Sequence, residues 1–447
     1  MKLKMQQLVA VLTVLLLPWQ TVWLLSPVVF GVGSSFMTLS IYLVDVLLFV
    51  CCLLLLRRTT FSFARPAQER WLFGIAFIAL FIGTFLSPVP ILAVQKFVSF
   101  FLVGFFTWFA IRILPRNLIF VTVSVAGVVA AVLGIGQFLL QTIPGSSILG
   151  IASQSASILG TAVVETVQER FLRAYGPFPH PNILGGYLAL TLVFTVAYYF
   201  QLYEKFQPWW NTIGQTVSKK KLWHQPIVRQ TALAAAFSLA TFVLLITGLL
   251  VSFSRSAMLG AVVGVGSFLN KKIHQNPIRG GVLSGKLFLI ACLTITVWVL
   301  SVPGLFQGRL TASGRLEAYS VASRLTQYKE ANTLFMSNAL FGVGVGNYVP
   351  ALMQTFPGRA VYDYEPVHNV LVLAVVEVGA IGSLAVLLLL YRKREMLRQL
   401  LLTPTGAGVM YTLLPLMLLD HYIWSLHAGI VLLVLVGLGL SSKETVS

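Results

Sequence analysis

The chain has 447 residues, 57% of them hydrophobic and 10% charged, with a mean hydropathy of +0.87. Soluble domains carry about 25% charged residues, so this composition excludes a soluble enzyme. The net charge of +18 then takes its meaning from where the charges fall, and nucleic acid is not an expected partner. Cys51, Cys52 and Cys292 all lie inside apolar runs, which argues against both a disulfide framework and a cysteine metal site.

Twelve apolar runs follow one another, at 1–25, 37–56, 71–87, 91–111, 117–141, 183–203, 231–251, 256–270, 286–303, 368–391, 405–420 and 424–440. Lipid offers backbone groups no hydrogen-bond partner, and these runs show no period-two alternation, so they predict spanning helices. The expected fold is an all-α polytopic bundle of about twelve transmembrane helices forming one membrane domain over 1–447. Lys2 and Lys4 precede the first run as in a secretory leader. No small-residue cleavage site follows, however, and Trp19 and Gln20 interrupt the run, so it is expected to be the first span.

Threading the spans with both termini in the cytoplasm gathers most basic residues inside. Examples are Arg57, Arg58, Arg65, Arg70, Lys205, Lys219–Lys221, Lys271, Lys272 and Arg392–Arg394. This bias is the positive-inside rule, with anionic lipid as the natural contact. Lys96, Arg170, Arg173, Arg255, Arg309, Arg315, Arg324, Lys329 and Arg359 fall outside, mostly on the two long outward segments 142–182 and 304–367. Residues 146–168, rich in serine, read as a loop or re-entrant element.

Four stretches on that side could carry chemistry. In Arg173–Asn182 the prolines fix an extended entry to a helix that Asn182 is expected to cap, His180 belongs to the turn, and Arg173 is left without a structural reason. Arg255 stands at the junction of two apolar spans, where a guanidinium costs about 2.5–3.5 kcal/mol at bilayer depth unless it snorkels or meets an anion. In 304–367 the spacing of Leu316, Tyr319, Leu325, Tyr328, Ala331 and Phe335 predicts an amphipathic surface helix with Arg324 and Tyr328 on one face. His368 and Asn369 open a span containing Glu377, and Asp420 and His421 lie between the last two spans. An imidazole at a membrane boundary can exchange a proton near neutral pH, and Asp420 or His421 could orient it or merely mark the interface. Guanidinium groups bind phosphate oxygens in bidentate fashion and remain charged, which suits a lipid-linked diphosphate. The sequence offers no evident metal-ligand cluster, so any transfer is expected to be independent of metals and cofactors.

The order Arg-x-x-Gly-x-Phe-x-His-Pro-Asn at 173–182, Ser-Arg-Ser-Ala at 254–257, Arg324 before Gly342-Val-Gly-Val-Gly346, and His-Asn-x9-Gly-x-x-Gly at 368–382 resembles the O-antigen ligase and polymerase superfamily over residues 142–391. The resemblance implies a class C-type glycosyltransferase that takes a glycan from undecaprenyl diphosphate on the outer face of the bacterial inner membrane. The acceptor would be a glycolipid, a growing glycan or a protein, with inversion at the anomeric carbon. It further implies that Arg255 and Arg324 grip the diphosphate with Arg173 as a third, that His368 activates the acceptor hydroxyl, and that Asn369 and Glu377 position its helix. Ligase is favoured over polymerase or protein O-glycosylation by the histidine-to-glycine spacing. A twelve-span solute transporter, for instance of bicarbonate, and a catalytically silent glycolipid-binding scaffold are the readings of other classes.

Overall fold

The computed structural model describes residues 5–26, 34–56, 67–158, 160–166, 169–213, 225–311 and 315–440. Lys2, Lys4, Arg57, Arg58, Arg65 and Lys219–Lys221 lie outside the described residues, as do the side chains of Arg70, Arg309, Arg315, Leu316 and Tyr319.

The chain runs α1 (Met5–Leu16), β1 (Val22–Ser26), β2 (Leu39–Tyr42), α2 (Leu43–Leu56), α3 (Ala67–Leu86), α4 (Pro90–Ile113) and α5 (Arg116–Leu140). Four short strands follow, β3 (Thr142–Ile143), β4 (Gln154–Ser155), β5 (Val163–Glu165) and β6 (Arg170–Leu172). Next come α6 (Pro181–Ile213), α7 (Pro226–Ser252), α8 (Arg255–Gln275), α9 (Pro277–Ser301), α10 (Pro303–Thr311), α11 (Arg315–Ser337) and α12 (Tyr348–Thr355). The chain closes with α13 (Val370–Arg392), α14 (Arg394–Leu402), α15 (Pro404–Leu419), α16 (Tyr422–Ser425) and α17 (His427–Leu440).

Every one of the apolar runs is at least partly helical, and the protein is a helical membrane protein. Among the described residues six helices are long and apolar enough to cross a membrane, namely α4, α5, α6, α7, α9 and α13, or seven if the bent pair α14–α15 counts as one span. The apolar helices of α1, α2, α3 and α17 are shorter. The run at 1–25 is not one helix: α1 stops at Leu16, just before the Leu17-Pro18 step, where the proline ring disfavours helical backbone at the preceding residue. The chain beyond it forms an antiparallel ribbon that pairs Val22 with Tyr42 and Leu24 with Ser40, so the run at 37–56 begins as a strand. The serine-rich segment resolves into the ribbons β3–β4 and β5–β6, the latter tied by an Arg170–Glu165 ion pair at 3.4 Å.

Helix α6 is the axis of the bundle: 94% of its apolar window is buried, against 22% for α9. It packs on α5, α7 and α8. Lipid does not drive helices together, so close backbone approach is a main source of their attraction. The glycines of the short run at 256–270 serve that approach, since a Cβ at Gly260 would lie 2.8 Å from the Thr412 carbonyl oxygen of α15.

Helix α13 is broken at Gly379, whose φ of 74° belongs to the left-handed region. The break accepts the glycine-rich turn after α11. Val343 N–H donates to Val376 O at 3.0 Å, Gly344 N–H to Glu377 O at 3.0 Å, and Ala380 N–H to Ala339 O at 2.8 Å. The Glu377 carboxylate, 3% exposed, accepts from Gly346 N–H at 2.8 Å, Tyr348 N–H at 3.2 Å and Trp424 Nε1–H at 2.6 Å. The Gly342–Gly346 and Gly379–Gly382 motifs are thus two halves of one joint.

Helix α11 is formed as predicted, but its buried stripe is Gln327, Glu330, Ala331 and Leu334 rather than the one the apolar spacing suggests. Leu325 and Tyr328 are exposed. Polar partners set this rotation, because Glu330 pairs with Arg359 and Gln327 meets His368. Arg359, one of the cations expected on the outer side, therefore has a packing role.

Candidate functional site

One end of the bundle gathers the candidate residues, most of them at the ends of elements, with Arg324 reaching His368 and Asp420 electrostatically from the middle of α11. Arg173 follows β6, Asn182 opens α6, Arg255 opens α8, His368 and Asn369 precede α13, and Asp420 and His421 link α15 to α16. Asn182 is not the cap of α6, which begins one residue earlier at Pro181. His180 takes that role, its Nδ1 accepting from Asn182 N–H at 3.1 Å. The freed Asn182 side chain is a cross-link: its Oδ1 accepts from Arg173 Nη2 at 2.7 Å, and its Nδ2 donates to Asp420 Oδ2 at 2.7 Å. Arg173, 5% exposed, also donates from Nε to Ser252 O at 2.8 Å. Burial lowers its pKa to about 10, so it stays charged at neutral pH.

His368 is held from behind. Gln327 Oε1 lies 2.9 Å from its Nδ1, and an amide oxygen can only accept, so Nδ1 carries the proton and Nε2 keeps the lone pair of a base. The ring packs edge-on against His421, with centroids 4.8 Å apart. Asn369 caps α13, its Oδ1 accepting from Leu371 N–H at 3.0 Å and Val372 N–H at 3.1 Å, while its Nδ2 donates to Tyr328 Oη at 3.3 Å. Gln327 was missed in the sequence. Its only signal is its place three residues after Arg324, on a face that apolar spacing assigns elsewhere.

The electrostatics favour a neutral base. Burial pushes the His368 pKa below the ordinary imidazole value, the Asp420 carboxylate works against that shift, and the Arg324 guanidinium adds to it. Burial raises the Asp420 pKa, while His368, the His421 N–H, Asn182 and Arg324 pull it back. His421 falls well below the usual range, chiefly through burial and then through the nearby cations and imidazoles. Neutral His368 therefore persists to lower pH than a free histidine, and the acid limb of any reaction needing it as base lies below about 6.5. Asp420→Asn removes the carboxylate that raises the His368 pKa, so the limb should move to still lower pH. A pH–rate profile checks this, and an upward shift contradicts it.

Arg324 is half-buried and its Nε is enclosed without a hydrogen-bond partner. Arg255 is exposed at the start of α8, close enough to Arg173 for their charges to interact. No metal-capable cluster is visible in the sequence, but the fold assembles one: single ligand atoms of His368, Asp420 and His421 all lie within 4.8 Å of one another. Each of these residues already has a protein partner, namely Gln327 on His368, Ser425 Oγ at 2.6 Å on His421 Nδ1, and Asn182 and the His421 N–H on Asp420. Only the Nδ1 atoms of the two imidazoles are engaged in this way, so the same three side chains are arranged either to share protons or to ligate a cation. Beside them opens a cavity of about 390 Å³, lined by His368, His180, Asp420 and His421 together with residues of β2, α4 and α17.

No curated protein matches the chain significantly. Residues 240–387 match the family model described as O-Antigen ligase, and Arg255, Arg324, Gln327, His368 and Glu377 all lie inside the match. Over residues 240–387 this membrane protein is thus similar to the O-antigen ligase family.

Proposed function

We propose that the protein transfers a glycan from undecaprenyl diphosphate to an acceptor hydroxyl on the outer face of the bacterial cytoplasmic membrane, as an O-antigen ligase. The observation that carries this reading is the pairing of a histidine whose Nε2 is left free by Gln327 with two arginines flanking the same end of the bundle. His368 Nε2 takes the proton of the acceptor hydroxyl, whose oxygen forms the new bond to the anomeric carbon from the face opposite the leaving group. The bond from that carbon to the diphosphate breaks, and its electron pair stays on the diphosphate oxygen. Arg324 and Arg255 neutralise that developing charge, and configuration inverts. Asp420 stabilises the imidazolium, and Arg173 supports Asp420 through Asn182. No step of this scheme needs a metal or cofactor. A polymerase or protein O-glycosylating enzyme would use the same groups with a different acceptor.

The test is transfer by the purified protein in reconstituted membranes, with an undecaprenyl-diphosphate glycan and a set of glycolipid, oligosaccharide and protein acceptors. Removing one charged stabiliser typically costs about 10²–10³ in rate, so Arg255→Ala and Arg324→Ala should each fall by that much while staying folded. Arg324→Lys should recover little, because an ammonium cannot reproduce a bidentate contact. Full activity in Arg324→Lys would remove the bidentate grip. Solute uptake into sealed vesicles without transfer to any acceptor would favour a transporter.

A further inference from the structure

The cavity beside His368 is also walled by side chains that the reaction above does not use and that lie outside residues 240–387. Ser40 and Tyr42 come from β2, Gln95 and Lys96 from α4, and His427 from the start of α17. His427 is 8% exposed, and its Nε2 lies 2.8 Å from Asp45 Oδ1. Its ring stacks in parallel on Tyr42 with centroids 3.6 Å apart, yet its Nδ1 is enclosed without a hydrogen-bond partner. A buried polar atom left unmet at a cavity wall is costly unless something in the cavity meets it. Gln95 is braced there by Nε2 donation to Ser40 O at 2.7 Å, and Lys96 by donation to Ser425 O. A volume of about 390 Å³ falls within the ~300–1,000 Å³ of small-molecule sites.

None of Arg173, Arg255 and Arg324 lines this cavity, whereas His368 does. We propose that it is the acceptor subsite: it takes a sugar ring bearing free hydroxyls, held by Ser40, Gln95, Lys96 and His427, with one hydroxyl presented to His368 Nε2. The inference rests on the reading of the reaction given above. It assigns acceptor choice to the ribbon β1–β2 and to α4 and α17, which lie outside the matched domain. The diphosphate end, built from Arg255 and Arg324, lies within that domain.

The experiment uses the full-length protein in nanodiscs. Saturation-transfer NMR with methyl glycosides of a hexose, a 2-acetamido-hexose, a heptose and a hexuronic acid reads binding without turnover. Transfer kinetics read the acceptor KM and donor KM separately. At least one glycoside should bind, and Gln95→Leu and His427→Phe should weaken it and raise the acceptor KM about three- to tenfold, the value of a lost hydrogen bond, leaving the donor KM unchanged. If His427→Phe does not fold, Gln95→Leu and the milder Ser40→Ala carry the test. Absence of glycoside binding, binding that the folded variants leave intact, or a donor KM that rises while the acceptor KM stays fixed would each overturn the subsite. Glycoside binding that the variants abolish, in a wild type that transfers to nothing, would keep the sugar site and sink the transferase reading instead.

Discussion

His368→Ala should lower glycan transfer about 10²–10⁴-fold, the range contributed by a positioned general base, with little change in melting temperature. The imidazole is half-buried at a helix start, where Gln327 holds its Nδ1. In the proposed reaction its removal takes away the proton acceptor and leaves the arginines assigned to the diphosphate, so kcat should fall far more than the donor KM rises. Gln327→Leu is the informative companion. It leaves the imidazole in place but no longer fixes the proton on Nδ1, so activity should fall partway and the acid limb of the pH profile should change. Single-turnover transfer with both variants in the same membranes checks this. A His368→Ala enzyme as fast as wild type would remove the base from the mechanism.

Gly379→Ala should destabilise the protein enough to lose most of the folded, extractable material. A non-glycine residue at this φ costs about 1–3 kcal/mol in backbone strain alone. The new methyl group would also be driven into the backbone of Leu340, Phe341 and Gly342, which the break in α13 receives. Gly342→Ala meets the same joint from its other side, at φ 71° and against the Glu377 carbonyl, and should behave alike. Gly74→Ala in α3, where a methyl group meets nothing within 4 Å, is the matched control. Melting curves in detergent should show a marked drop for the first two and none for the third. Equal melting of Gly379→Ala and wild type would mean that the joint does not hold α13.

Much of this was legible in the sequence, and what was hidden was hidden for physical reasons. Lipid forces spanning apolar runs into helices, so a helix in each run follows from hydropathy, although its bounds and its power to span do not. The arginines and His368 stood out because charge at a membrane boundary needs a cause. The Asn182–Asp420 bond joins positions 238 apart in the chain, and no local pattern reports such a contact. Gln327 was obscured because the buried face of α11 is set by two polar contacts, while apolar spacing points to a neighbouring stripe. Ser40, Gln95 and His427 each look like an incidental polar residue within or beside an apolar run, and only the fold brings them to one wall. The strand pairing at 22–42 escaped notice because its residues are as apolar as a spanning helix.

The break in α13 also separates two mechanical duties. The half before Gly379 carries His368 and is bolted to the turn at 340–346, while the half after it, with Leu384, Leu387 and Leu390 exposed, offers its side chains to the surrounding lipid. An unbroken helix would pass any tilt imposed by bilayer thickness along its whole length. Under the reaction proposed above, the glycine joint would let the half after Gly379 tilt with bilayer thickness while the half before it keeps His368 aimed at its acceptor.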